Sequence, residues 1–152
     1  MVFVSQGYPR VLEDREVLVV RAGDQQRARL RGWLDGYDGP CPLYRIELFL
    51  GRDRYTASAS NMFASLVRLR RQLEPEGWMI AVQGARRDTF PSGMTLDMGG
   101  GMEVYVMRPG HKSSVDDLVE TLADAAVEQL GTVDEQRAWR DAWFAEVKNA
   151  PR

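Results

Sequence analysis

The amino-acid sequence predicts an α+β fold, with a mostly antiparallel sheet, one helix in mid-chain and two C-terminal helices packed on one side. Three observations lead to it. Up to residue 59 the apolar side chains come in β-branched runs or alternate with polar ones, broken by Gly, Pro and Asp. From Asn61 to Leu73, and again after Ser114, they recur instead at spacings of three and four. Strands come first and helices last, the order of a sheet covered on one face rather than of a βαβ array.

Element by element, Val17 to Val20 form a short run closed by Ala22-Gly23-Asp24, and Ala28 to Leu34 alternates before Asp35-Gly36. Tyr44–Leu50 and Tyr55–Ala59 flank Gly51-Arg52-Asp53-Arg54, the spacing of a hairpin with a glycine-containing loop. Ser60 and Asn61 are N-cap residues for a helix carrying Met62, Phe63, Leu66, Val67, Leu69 and Leu73, stopped by Pro75 and Gly77. Trp78–Val82 reads as a buried strand, residues 84–101 as a long connection, and Met102–Met107 as a strand ended by Pro109-Gly110. Val115, Leu118, Val119, Leu122, Ala126 and Leu130 follow helical spacing behind the caps Ser113 or Ser114, with Gly131 as the stop. Thr132 and Glu135 form a capping box that opens a last helix with Trp139, Ala142, Trp143 and Val147 on one face.

At 152 residues, with 44% hydrophobic and 28% charged side chains, residues 1–152 are expected to form a single globular domain. One cysteine permits no internal disulfide, and no Cys/His cluster has zinc-ligand spacing, so no metal site is expected and a reducing compartment fits. No apolar run approaches the roughly 18 residues that span a bilayer, and no signal sequence is read at the start, so a cytoplasmic location is expected. Net charge is −2, with 20 basic residues balanced by 22 acids, which weighs against general nucleic-acid binding. The balance is uneven: up to residue 110, 15 arginines face 13 acids, whereas 5 bases face 9 acids after it.

Catalytic sets are missing. The one histidine, His111, lies in a turn and reads as a solvated loop residue, and Cys41, between Pro40 and Pro42, reads as a small buried side chain rather than a nucleophile. No catalytic residue and no cofactor is expected. Arg68, Arg70 and Arg71 form a basic patch on the mid-chain helix that reads as a solvated face diluted by Glu74 and Glu76.

Two surfaces carry the functional expectations. In the first, Asp116, Glu120, Asp124 and Glu128 stack at i, i+4 along the expected 115–130 helix, with no base interleaved. Each such pair costs about 0.2–0.5 kcal/mol, so the stripe is either a solubility face or a surface for a basic protein partner, with Phe144 on the last helix as a partly exposed second contact. In the second, Arg86, Arg87 and Asp88 with the turn Gly99, Gly100 and Gly101 would cradle a phosphate or small molecule; otherwise this stretch is a wide turn in which Met94, Leu96 and Met98 cover the core.

The segments Leu73-Glu74-Pro75-Glu76-Gly77-Trp78, Gly84-Ala85-Arg86-Arg87-Asp88, Pro91-Ser92-Gly93-Met94, Asp97-Met98-Gly99-Gly100-Gly101 and Gly131-Thr132-Val133-Asp134-Glu135-Gln136 together resemble a family of small uncharacterised bacterial proteins. The resemblance covers roughly two thirds of the chain and leaves residues 1–40 outside. It brings no catalytic residues, and it implies an immunity-type protein of a toxin locus, which neutralises a bacterial toxin by direct contact.

Overall fold

Antiparallel hairpins built from tight turns generate the first half of the protein, which the computed structural model describes over residues 7–149. Strands β1 (Arg10–Arg21) and β2 (Asp24–Asp38) are joined by Ala22 and Gly23, both at positive φ (43° and 89°). Two left-handed residues in succession give a turn whose twist matches that of the strands it joins. β2 turns through Gly39-Pro40 into β3 (Cys41–Leu50), and β3 turns through Gly51-Arg52 into β4 (Asp53–Ala59). With the short β5 (Met79–Ile80) these form one sheet in the order β4-β3-β2-β1-β5, every pairing antiparallel.

Alternation puts Val17, Val19, Ala28, Leu30, Ile46, Leu48 and Leu50 on one face, and helix α1 (Met62–Leu73) lays Met62, Leu66, Leu69 and Leu73 against it. Asn61 caps α1 by accepting the Ala64 N–H at 2.8 Å. The helix also closes the sheet's free edge, since Arg68 and Gln72 donate to the carbonyls of Ser58 and Thr56 on β4. The other face is polar: Asp14 holds Arg29, and Arg45 bridges Asp35 and Glu47 while lying 3.9 Å over the Trp33 ring.

The second half has little regular structure. A 3₁₀ turn over Glu74–Glu76 ends at Gly77 (φ 84°), followed by β6 (Thr89–Phe90), the short helix α2 (Gly93–Asp97), β7 (Glu103–Val106), β8 (Leu118–Glu120) and helix α3 (Val133–Lys148). Strands β6, β7 and β8 form a second antiparallel sheet in that order. No helix among the described residues is long and apolar enough to cross a membrane.

The α+β class and the antiparallel pairing agree with the sequence, but there is one C-terminal helix, not two. Residues 115–130 form no α-helix: 3₁₀ turns at Val115–Asp117 and Val127–Gln129 flank β8, and isolated bridges lie at Asp124 and Leu130. Their backbone groups bond to other segments: Gln83 N–H to Ala123 C=O, Gly84 N–H to Thr121 C=O, Thr121 N–H to Met102 C=O, and Ala125 N–H to Ala81 C=O. Helical spacing of the apolar residues reflects instead a strip that buries Leu122 while zipping along residues 81–87. Extension also separates four carboxylates that a helix would have stacked.

A buried polar network locks the two halves together. Arg70, 2% exposed on α1, donates to Gln136 Oε1 at 2.7 Å and to the Gly131 carbonyl at 2.8 Å, with its Nε 3.6 Å from Glu74. Gln136 of α3, 1% exposed, donates to the carbonyls of Gly84 and Arg86 at 2.8 Å each, and Glu74 accepts the Val133 N–H at the start of α3. Burial pulls the Arg70 pKa down to about 10, so the group is still charged at neutral pH, and burial pushes Glu74 above the usual carboxylate range.

Gln136→Leu keeps volume but strips Arg70 of an acceptor and two carbonyls of their donor, and should lower stability by about 2–4 kcal/mol in urea unfolding. Glu74 behaves unlike a conventionally paired carboxylate. Because its folded pKa is raised, the stability it contributes is present below the unfolded value and is lost as pH rises through the folded one. Glu74→Gln retains an acceptor for Val133, so its stability relative to the native protein should improve between pH 4 and pH 7, as measured by unfolding at both values.

Candidate functional site

The short second sheet and α3 enclose a cleft of about 360 Å³. Its floor comes from the β6–β7 pair, in which Phe90 sits opposite Tyr105, with Met107 just beyond. One wall is α2. Ser92 caps that helix through a capping box with Thr95 and turns the chain so that Met94 lines the cleft. The opposite wall is α3, where Trp143 and Phe144 meet edge to face with ring centroids 5.2 Å apart. Trp143 is fixed by its indole N–H, which donates to the carbonyls of Arg108 and His111, and Trp139 is fixed likewise on Met107.

This surface is apolar where it meets water. Met94 is 68% exposed and Phe144 50%. A methionine on one side and an aromatic on the other form a soft, adaptable rim. Arg140 lies 4.7 Å over Phe90 of the floor and 5.4 Å over Phe144 of the α3 wall. Ser113 also lines the cleft, and its Oγ is buried without a hydrogen-bond partner.

The expected acidic stripe is not assembled. Asp116 is exposed in a 3₁₀ turn; Glu120 is exposed on β8 opposite Glu103; Asp124 pairs with Arg15 at 2.6 Å; Glu128 sits in the next turn, where its carbonyl receives Arg87. They occupy two 3₁₀ turns, a strand and an isolated bridge, not successive turns of one helix. Phe144 stands where the helical phase of α3 predicted, half exposed beside Arg140.

The expected phosphate cradle is likewise not formed. Arg86 makes a two-point contact with Asp88 at 2.8 Å and bonds Gln83, all in the strip that faces Leu130. Arg87 is turned to the Glu128 carbonyl. Gly99, Gly100 and Gly101 lie elsewhere, at the N-terminus of α1. The amides of Gly99 and Gly101 both donate to the Thr95 carbonyl, and the carbonyls of Gly100 and Gly101 accept from Met62 N–H and the Thr121 hydroxyl. The glycines therefore serve close packing, with Gly100 (φ 63°) against Tyr44 and Gly101 (φ 70°) against Asn61. Met94 and Met98 do not cover the core, and Cys41 is exposed rather than buried, at the β2–β3 turn. His111 is exposed in its loop.

Sequence reasoning missed the cleft because its walls come from residues 90–94, 105–107 and 143–144, which only tertiary packing brings together. The available signals were Met94, outside any long apolar stripe, and Phe144, out of phase with the tryptophans. Among the described residues no group of His, Cys, Asp and Glu is placed to hold a metal ion. No model of a known protein family matches the chain, and no curated protein matches it.

A packing role for the glycine turn has a direct test. A Cβ on Gly100 would lie 2.1 Å from the Tyr44 hydroxyl at a left-handed φ, whereas one on Gly93 would meet nothing within 4 Å. Gly100→Ala should cost about 1–3 kcal/mol and Gly93→Ala should be neutral or slightly stabilising, compared by denaturant unfolding.

Proposed function

We propose that this protein is a binding module that captures an apolar, acid-flanked segment of a protein partner in the α2–α3 cleft. The observation that carries the reading is the exposure of Met94 and Phe144 around a concave apolar floor. Large apolar side chains left in water beside a cleft are the signature of a contact surface, and Met and Phe adapt to a partner's shape. The partner's charge follows from α3, where Arg140 and Lys148 sit one turn on either side of Phe144.

The resemblance to proteins of toxin loci supplies a partner class, a bacterial toxin neutralised by direct contact. In that reading the contact falls to the cleft, because the acids expected to meet a basic toxin domain are dispersed. A second reading rests on Ser113: its buried, unpartnered hydroxyl offers an anchor for a small apolar ligand in the same space. A ligand that co-purifies and is seen by native mass spectrometry would favour it.

Phe144→Asp should leave the thermal melt within about 1 kcal/mol of the native protein, since the ring is half exposed. The same change should raise the dissociation constant for a partner captured from the native cell by about 30-fold or more. Glu120→Lys, away from the cleft, should bind unchanged. Partner binding that survives Phe144→Asp and is lost with Glu120→Lys would overturn the proposal.

A further inference from the structure

A second cleft, of about 380 Å³, lies between α1 and α3 and is lined by Phe63, Ala64, Val67, Arg68, Arg71 and Arg137. Three arginines line it, two from α1 and one from α3. Several arginines elsewhere are held closely by carboxylates: Arg29 by Asp14, Arg45 by Asp35, Arg86 by Asp88 and Arg108 by Asp117, all at 2.8–3.0 Å. In the cleft no carboxylate of the described residues comes as close. Among the described residues neither Arg68 nor Arg137 forms an ion pair, and Arg71 has only Asp134, 3.6 Å away and 87% exposed. Arg68 is oriented by one bond to the Ser58 carbonyl, which leaves the rest of its fork free.

Like charges gathered in a concavity repel one another. Such an arrangement is relieved by a bound anion carrying more than one charge and several acceptor oxygens. The floor adds a further requirement. Phe63 is buried, 5% exposed, and Ala64 and Val67 are partly exposed apolar surface, so the site offers contact to an organic body as well as to an anion. The volume falls in the range of sites for small molecules and is more than a bare oxyanion needs.

We propose that the cleft between α1 and α3 binds a phosphate monoester of nucleotide size, with Arg68, Arg71 and Arg137 on the phosphate and Ala64 and Val67 under the organic portion. The site is separate from the apolar cleft and does not rest on the protein-binding reading. The two meet only where Phe63 packs edge to face on Phe90, 5.1 Å between centroids. Asp134 is displaced from Arg71 by the ligand, at little cost because the pair is exposed.

Calorimetric titration of the whole protein at low salt with adenosine 5′-monophosphate, inorganic phosphate and adenosine tests this. The monophosphate should bind, phosphate should bind more weakly, and adenosine should give no heat over the same range. Arg71→Ala and Arg137→Ala should each weaken the monophosphate at least about tenfold, the loss of a charge-assisted hydrogen bond. Arg137 is exposed and holds no other bond, so its variant reports on the site without endangering the fold. Arg87→Ala, which lies outside the cleft, should bind as the native protein does. Absence of heat with both phosphate and monophosphate up to millimolar concentration would overturn the proposal. So would monophosphate binding that persists in the Arg71→Ala/Arg137→Ala double variant, and equal affinity for phosphate and monophosphate would refute the role given to the apolar floor.

Discussion

One buried guanidinium organises the second half of this protein. Arg70 projects from the helix that covers the main sheet, and it finds its acceptors on Gly131 and Gln136, more than 60 residues away in sequence. A charge taken out of water is tolerated only where its donors are filled, so residues 83–89 and 131–136 are held where those acceptors are needed. Gln136 extends the constraint, since one amide group reaches the carbonyls of Gly84 and Arg86 and lies 3.3 Å from the Thr89 hydroxyl. The start of α3 is thereby fixed against α1, and both clefts are consequences of that placement.

The two sheets differ in what holds them. The five-stranded sheet has long partners, tight turns and a covered apolar face, and most of its order is encoded within each hairpin. The three-stranded sheet has strands of two, four and three residues, too short to stand alone. It persists because Trp139 and Trp143 are anchored to the carbonyls that follow β7, and because the strip from 118 to 131 is stitched to residues 81–87. The apolar cleft is thus built on the part of the molecule with the least intrinsic stability, which is where binding surfaces able to adjust their shape are found.

What could be read from sequence alone follows the range of the interactions involved. The hairpins at Ala22-Gly23 and Gly51-Arg52, the Asn61 cap and the Thr132/Glu135 capping box depend on neighbours within four residues, and each is where the residues placed it. Phe144 was legible for the same reason, because helical phase is local. The 115–130 segment was not, since an apolar spacing of three and four is also compatible with an extended strip that buries Leu122 and exposes its acids. Repulsion among Asp116, Glu120, Asp124 and Glu128 was a local sign against a helix there, outweighed by the apolar pattern. The glycines at 99–101 were read as an anion cradle because positive φ serves both a nest and a close approach, and only the position of Tyr44 and Asn61 distinguishes them. Arg137 joined no pattern, as its partners Arg68 and Arg71 lie on another helix.

Charge illustrates the same point at the scale of the whole chain. The linear tally places an acidic excess after residue 110 and a basic excess before it, and suits a negatively charged C-terminal surface. Folding spends that asymmetry internally. Asp117 turns to Arg108 and Asp124 to Arg15, so acids from the second part neutralise arginines of the first. On α3 itself Arg137, Arg140 and Lys148 alternate with Asp134, Glu135, Asp141 and Glu146, and Arg68 and Arg71 of α1 stand beside Arg137. Arginines of α1 and α3 therefore line one cleft together although the segment that contributes α3 is acidic. Pairing between distant segments, not the composition of either, sets the sign of the field that an approaching partner meets.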